Sequence, residues 1–360
     1  FLIRAGLLAF KAKQQEQAKS LMNRGFRVLF SGLFLCAPVS VALAGTVIGI
    51  LTDGPGARPF VPQRALEAEI LSLTAGEFDV SFPANTQING NWSSAGISGA
   101  LDLLLKDPEV DIVLCLGVLS SQEAARRPAL SKPVVATITA DPELQGFPLE
   151  KGASGRRNLV YITNVRNIDD DLKLFKQAVT FSHVAVLVDQ GVLAGIGDFS
   201  EIKAEQLRSS LGIEITPVPV GESLTASVQA IPKDVDAVYV TPLLRFGDEG
   251  MQGLADALIA RKLPSFSSYG ISELDDGLLM ATGGRPEDDV RLIRRIALDV
   301  QRILLGDEPG AIPVALQESR RLAINMRTAQ AIGFAPRFAV LTEAEQLFAD
   351  ETQQGTPLTL

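Results

Sequence analysis

The feature that most constrains this chain is a recurring alternation: short apolar, β-branched runs, each followed by a stretch with helical spacing. Residues 46–51 form such a run and end in Thr52-Asp53-Gly54-Pro55, which reads as a strand entering a loop. A helical pattern follows over 65–73, then a strand over 78–82, a helix over 97–105 and a strand over 111–116. A helix starting at 120–126 and a strand over 133–137 complete the first series. Strands that are apolar throughout have no solvent face. A parallel sheet covered by helices on both sides is the arrangement that buries them.

The series then restarts, with strands over 184–188, 213–217, 237–240 and 265–267 and helices over 199–211, 224–230 and 251–261. Gly191, Gly195 and Gly197 follow the first of these strands with the wrong spacing for a dinucleotide loop, and they read as a turn. A long helix over 287–305 carries Pro286 at its start, Glu287, Asp288 and Asp289 in its first turn and Gly306 after its end. Only short segments follow it. The expected fold is α/β: two Rossmann-like lobes with parallel sheets, joined by a multi-strand hinge. Lobe 1 takes 45–164 plus 282–318 and lobe 2 takes 165–281 plus 319–348, with 349–360 as a tail. Crossings near 164–167, 281–285 and 313–322 would let the lobes close on a ligand.

The N-terminus reads as a leader. Arg24 and Arg27 precede an apolar run over 28–37 that is too short to span a bilayer, and Ala42-Leu43-Ala44 supplies small residues for cleavage. Residues 22–44 are therefore expected to be a signal peptide, residues 1–21 an upstream segment, and Gly45 the mature start. Removing 1–44 leaves 27 basic and 41 acidic residues, a net of −14. So negative a surface disfavours nucleic acid and anionic lipid, and no stable membrane insertion of the mature chain is expected.

Catalytic chemistry is sparsely provided. His183 is the only histidine, no G-x-S-x-G elbow or Walker A loop occurs, and Cys115 is the only cysteine after residue 44. A zinc cluster cannot be assembled from these, and no cofactor is expected. What remains are residues at strand ends, where ligands of open α/β sheets bind. In lobe 1 these are Asp53, then Ser120 and Ser121, then Thr139 and Asp141; in lobe 2 they are Asp189, Gln190, Thr241 and Tyr269. Ser120 and Ser121 either hold a ligand carboxylate at a helix start or cap that helix. Asp141 and Asp189 either accept a ligand ammonium or cap turns. Trp92, the single tryptophan, either stacks on a ligand or covers a lobe.

The C-terminal third carries a longer pattern. Leu305-Gly306-Asp307-Glu308-Pro309-Gly310-Ala311-Ile312-Pro313-Val314 and Leu322-Ala323-Ile324-Asn325-Met326-Arg327-Thr328-Ala329-Gln330-Ala331-Ile332-Gly333 are similar to a family ending, G-E-x-P-x-x-x-P-V followed by L-x-I-N-x-x-x-A-x-x-L-G. Over about 46–347 the chain resembles the ABC transporter substrate-binding proteins of the type I periplasmic-binding fold, in the group that includes tryptophan and tyrosine receptors. Asp111–Gly117 and the Asp141-Pro142 turn add moderate matches. The sequence departs at Val118-Leu119-Ser120-Ser121, where the family has Thr-Pro, and at Thr282-Gly283-Gly284-Arg285, which lacks the usual aromatics. The resemblance implies a periplasmic receptor that is not an enzyme, with a small-molecule ligand (an amino acid or similar zwitterion) and an ABC transporter permease as partners. A periplasmic sensor or adaptor of the same fold is the alternative.

Overall fold

The computed structural model describes residues 45–55, 61–164, 167–197, 199–284, 286–317 and 321–348. The expected upstream segment 1–21, leader 22–44 and tail 349–360 lie outside them, as do Arg285 and part of the 164–167 and 313–322 crossings.

The first sheet is built around β1 (Thr46–Thr52), whose Ile48, Ile50 and Leu51 are fully buried. After α1 (Gln63–Thr74), the short strands β2 (Val80–Ser81) and β3 (Gln87–Asn89) share one edge of β1. Helix α2 (Ser94–Lys106) starts at Ser93, whose hydroxyl accepts the Gly96 N–H at 3.0 Å. On the other edge of β1 come β4 (Ile112–Cys115), then, beyond α3 (Val118–Arg126), β5 (Val134–Ala136) and β6 (Leu159–Tyr161), all parallel.

The chain leaves this lobe through β7 (Thr163–Asn164) and enters α4 (Ile168–Ala178). Asn167 caps α4, and Asp169, Asp170 and Asp171 fill its first turn, where the helix dipole favours negative charge. There follow β8 (His183–Asp189), α5 (Gln190–Ile196), α6 (Phe199–Leu211), β9 (Glu214–Val220), α7 (Leu224–Ala230), β10 (Ala237–Val240), α8 (Asp248–Ala260), β11 (Ser265–Ser267) and β12 (Met280–Gly283). Tyr239 donates to Asp171 Oδ2 at 2.9 Å and Thr282 donates to Oδ1 at 3.1 Å, tying α4 beneath β10 and β12.

Helix α9 (Pro286–Leu304) returns to the first sheet and packs on α1, with Arg294 paired to Glu69 and Gln301 donating to Leu73 O at 3.1 Å. Then β13 (Ala315–Leu316) lies parallel to β7, so two of the crossing segments are hydrogen-bonded to each other. Finally β14 (Arg321–Asn325), α10 (Met326–Ile332), α11 (Phe338–Glu343) and β15 (Ala344–Phe348) complete the second sheet, in the order β15-β14-β12-β11-β10-β8-β9. The β12–β14 pair is antiparallel. At the far edge β9 carries Pro217 and Pro219. The Glu214 N–H donates inward to Ser182 O at 2.7 Å, so alternation puts both prolines where the N–H would face outward.

Two sequence expectations change. Residues 190–196 form a helix rather than a turn: the Asp189 carboxylate caps it through the Gly191 N–H, and Gly197 ends it at φ +57°. Helix α3 begins at Val118, so Ser120 and Ser121 lie inside its first turn. Among the described residues, no helix is long and apolar enough to cross a membrane, and no group of three or more His, Cys, Asp or Glu could hold a metal ion.

Candidate functional site

The helices that follow β4 and β8, α3 and α5, pack against each other between the lobes. Gln122 on α3 donates from Nε2 to Val192 O on α5 at 3.4 Å. A Cβ at Gly195 would stand 2.0 Å from that same Nε2, so glycine permits the approach. Beside this contact lies a cavity of about 60 Å³. Val118, Ala140 and Leu144 supply its wall from the first lobe; Val186, Val188, Val192 and Ile196 supply it from the second. Asp141, Gln145, Tyr239, Thr241 and Ser268 are its polar members.

Asp53, at the end of β1, turns its carboxylate onto the first turn of α3. Its Oδ2 accepts the Leu119 N–H and its Oδ1 the Ser120 N–H, each at 2.8 Å. A Cβ at Gly117 would fall 2.1 Å from Asp53 Cγ, so this approach requires glycine there. Burial pushes the Asp53 pKa up, against the pull of the two N–H donors. Ser120 and Ser121 are fully buried, and their hydroxyls donate to Gly117 O at 3.3 Å and Cys115 O at 3.5 Å. The carboxylate seat at this helix start, one of the two sequence readings of Ser120 and Ser121, is therefore filled by the protein's own Asp53.

Asp189 does not stand open to a ligand ammonium either. Arg245 reaches its Oδ2 from Nε at 3.2 Å and from Nη2 at 3.1 Å, and both side chains are only 8% exposed. The Arg245 Nη2 also donates to Trp92 O in the first lobe at 3.2 Å, with the guanidinium 5.5 Å from the indole centroid. The Trp92 ring in turn donates to Pro55 O at 3.2 Å. Trp92 thus joins the lobes and does not line the cavity.

Asp141 is brought to the cavity wall. Its Oδ1 accepts the Leu144 N–H at 2.9 Å and its Oδ2 the Ile168 N–H of the second lobe at 3.4 Å. Burial raises its pKa, opposed by these two donors and by Lys203. Thr241 also lines the cavity, with its hydroxyl donating to Leu187 O at 2.9 Å. Thr139 sits close by and donates to Ile162 O at 3.3 Å. Gln190 is exposed beside Gly221, and the Tyr269 N–H donates to Ser267 Oγ at 3.1 Å; neither lines the cavity.

Sequence reasoning missed Arg245, Gln122, Gln145 and Tyr239. Arg245 had a legible signal, being a lone cation in Leu243-Leu244-Arg245-Phe246, just past the end of β10. The glutamines had none, since their roles depend on α3 meeting the turn after β5.

A family model described as ABC transporter substrate binding protein matches residues 79–348. The chain belongs to that family. As an ABC transporter substrate-binding protein it is of a kind that takes a small-molecule ligand and works with an ABC transporter. Its fold is the type I periplasmic-binding fold, as solved structures show. One is the ABC domain in complex with L-Trp from Streptococcus pneumonia: 18% identity, TM-score 0.63, covering 83% of this chain and 99% of that one. Another, a conserved domain protein from Vibrio cholerae, has 17% identity and TM-score 0.63 over 84% of this substrate-binding protein and 99% of its own chain. A ligand-free, open substrate binding protein with adhesive properties from Clostridium difficile has 15% identity and TM-score 0.52, covering 85% and 100%. Among curated proteins no sequence matches.

Proposed function

We propose that this protein is the periplasmic solute receptor of an ABC transporter, exported through residues 22–44, which captures a small molecule between its lobes and presents the closed form to a permease. The supporting observation is a cavity walled by strand ends and helices of both lobes. The paired segments β7 and β13 make a natural hinge beside it.

Capture proceeds without bond chemistry. The lining offers neither histidine, cysteine nor lysine as nucleophile or base. A solute that touches Val118 and Leu144 on one side and Val188 and Val192 on the other makes its full set of contacts only when the lobes are together. Closure is favoured by that difference in affinity alone. The L-Trp complex of the Streptococcus neighbour supports a ligand of amino-acid size.

Small-angle scattering of the full chain, with native mass spectrometry of what it carries, tests this reading. A copurifying solute whose removal expands the particle and whose return compacts it is the expected result. A chain that carries no solute, keeps one radius throughout and retains no permease in a pull-down would overturn it.

A further inference from the structure

We infer that the interlobe cavity takes a compact apolar amine without a carboxylate, held at Asp141. This rests on the receptor reading above and names the solute class for the same cavity.

The absence of a carboxylate follows from the groups that would have to hold it. The free N–H donors at the start of α3 are the natural place for an anion. Asp53 already takes the Leu119 and Ser120 N–H groups there, each at 2.8 Å. No arginine, lysine or histidine lines the cavity. Two cations of the second lobe are committed elsewhere: Arg245 to Asp189 and Trp92, and Lys203 to Asp169. A ligand carboxylate would enter facing Asp141 with no cation in the lining to meet it, and its desolvation would be unrepaid.

The apolar body follows from the remaining polar groups of the wall. Thr241 and Ser268 donate to Leu187 O and Val240 O, at 2.9 and 3.2 Å. Gln145 donates to Gln122 Oε1 at 3.2 Å and accepts the Ala140 and Asp141 N–H groups. Tyr239 donates to Asp171 at 2.9 Å. These groups answer one another and leave valine, leucine and isoleucine side chains as the surface presented to a solute.

Asp141 supplies the one point of charge. Each of its oxygens accepts a single backbone N–H, and a carboxylate oxygen can accept two hydrogen bonds. An ammonium placed there would gain a charge-assisted bond in a site from which water is largely excluded. It would also favour the ionised carboxylate that burial alone disfavours.

Four probes on one ring system test the class by thermal melting of the full chain: tryptamine, indole, indole-3-acetate and L-tryptophan at equal concentration. Tryptamine should raise the midpoint most, indole less, and the two carboxylates not at all. In Asp141→Asn the tryptamine affinity should fall at least about tenfold while that of indole is unchanged, which also reports that the variant is folded. If the variant does not fold, the wild-type order decides alone. L-tryptophan or indole-3-acetate matching tryptamine, or no shift with any of the four, would overturn the inference. Native mass spectrometry keeps the two readings apart. A copurifying carboxylate-bearing solute sinks the amine class and leaves the receptor standing, whereas a chain that carries no solute, answers no probe, keeps one radius throughout and retains no permease sinks both.

Discussion

Arg245 holds Asp189 within its own lobe and Trp92 in the other lobe at once, donating to the Asp189 carboxylate at 3.1 Å and to the Trp92 carbonyl at 3.2 Å. One side chain therefore couples the cap of α5 to the relative position of the lobes.

Replacing Arg245 by alanine leaves a buried carboxylate without its counter-charge. We expect Arg245→Ala to destabilise the fold by about 3 kcal/mol, the low end for breaking a buried pair, because the Gly191 N–H still bonds Asp189. Arg245→Lys should recover only part of this, since lysine lacks the planar fork that reaches both partners. Trp92 is the only tryptophan, so its emission should move to longer wavelength in both variants as the lobes part. Unchanged emission with normal stability would show that Arg245 does not couple them.

Asp53→Ala strips the acceptor from two N–H groups in the first turn of α3. The expected loss is about 2 kcal/mol by chemical denaturation, with Asp53→Asn losing roughly half as much. Gly117→Ala should mimic Asp53→Ala, because the added methyl occupies the carboxylate's place. If Gly117→Ala is neutral, the contact between Asp53 and α3 is not what fixes that turn.

The contribution of Asp299 to stability should fall as pH rises through the acidic range. Asp299 on α9 is buried, and burial pushes its pKa from 3.8 up to about 6 despite Arg295 at 2.9 Å. Below pH 4 the carboxyl is protonated in both states and its full contribution is present. As the pH climbs to 6, the unfolded chain releases the proton before the folded one does. Folding then loses on the order of 2 kcal/mol across that window. Asp299→Asn should remove this slope from a plot of unfolding free energy against pH; a slope that persists would assign the proton elsewhere.

Export should leave a chain that begins Gly45-Thr46, because Ala42-Leu43-Ala44 supplies the small residues a signal peptidase needs. N-terminal sequencing of the secreted protein reads this directly. Retention of Leu33–Cys36, or lipid on Cys36, would contradict it.

The two sheets were legible because their strands are apolar on both faces, as at Ile112–Cys115 and Ala237–Val240, and that pattern admits few other placements. The cavity wall was only partly legible. Position at a strand end identified Asp141 and Thr241, but it says nothing of which donor a carboxylate will meet. Asp53 and Ser120 are 67 residues apart, and their bond exists only because β1 and β4 are neighbours in register. Helix α5 was misread for a local reason. Its glycines suggest a turn, whereas the Asp189 cap and the close face of α3 hold it helical.

The two prolines of β9 bear on a different property of the molecule. An outermost strand ordinarily offers a row of N–H donors on which a foreign strand can be templated. Pro217 and Pro219 remove consecutive donors from the outward side of β9, while the inward bonds to β8 survive. The second sheet therefore ends in an edge that resists intermolecular β-pairing. Crowding of many copies in one compartment would carry a lower risk of aggregation through this edge than an unprotected strand of the same length would impose.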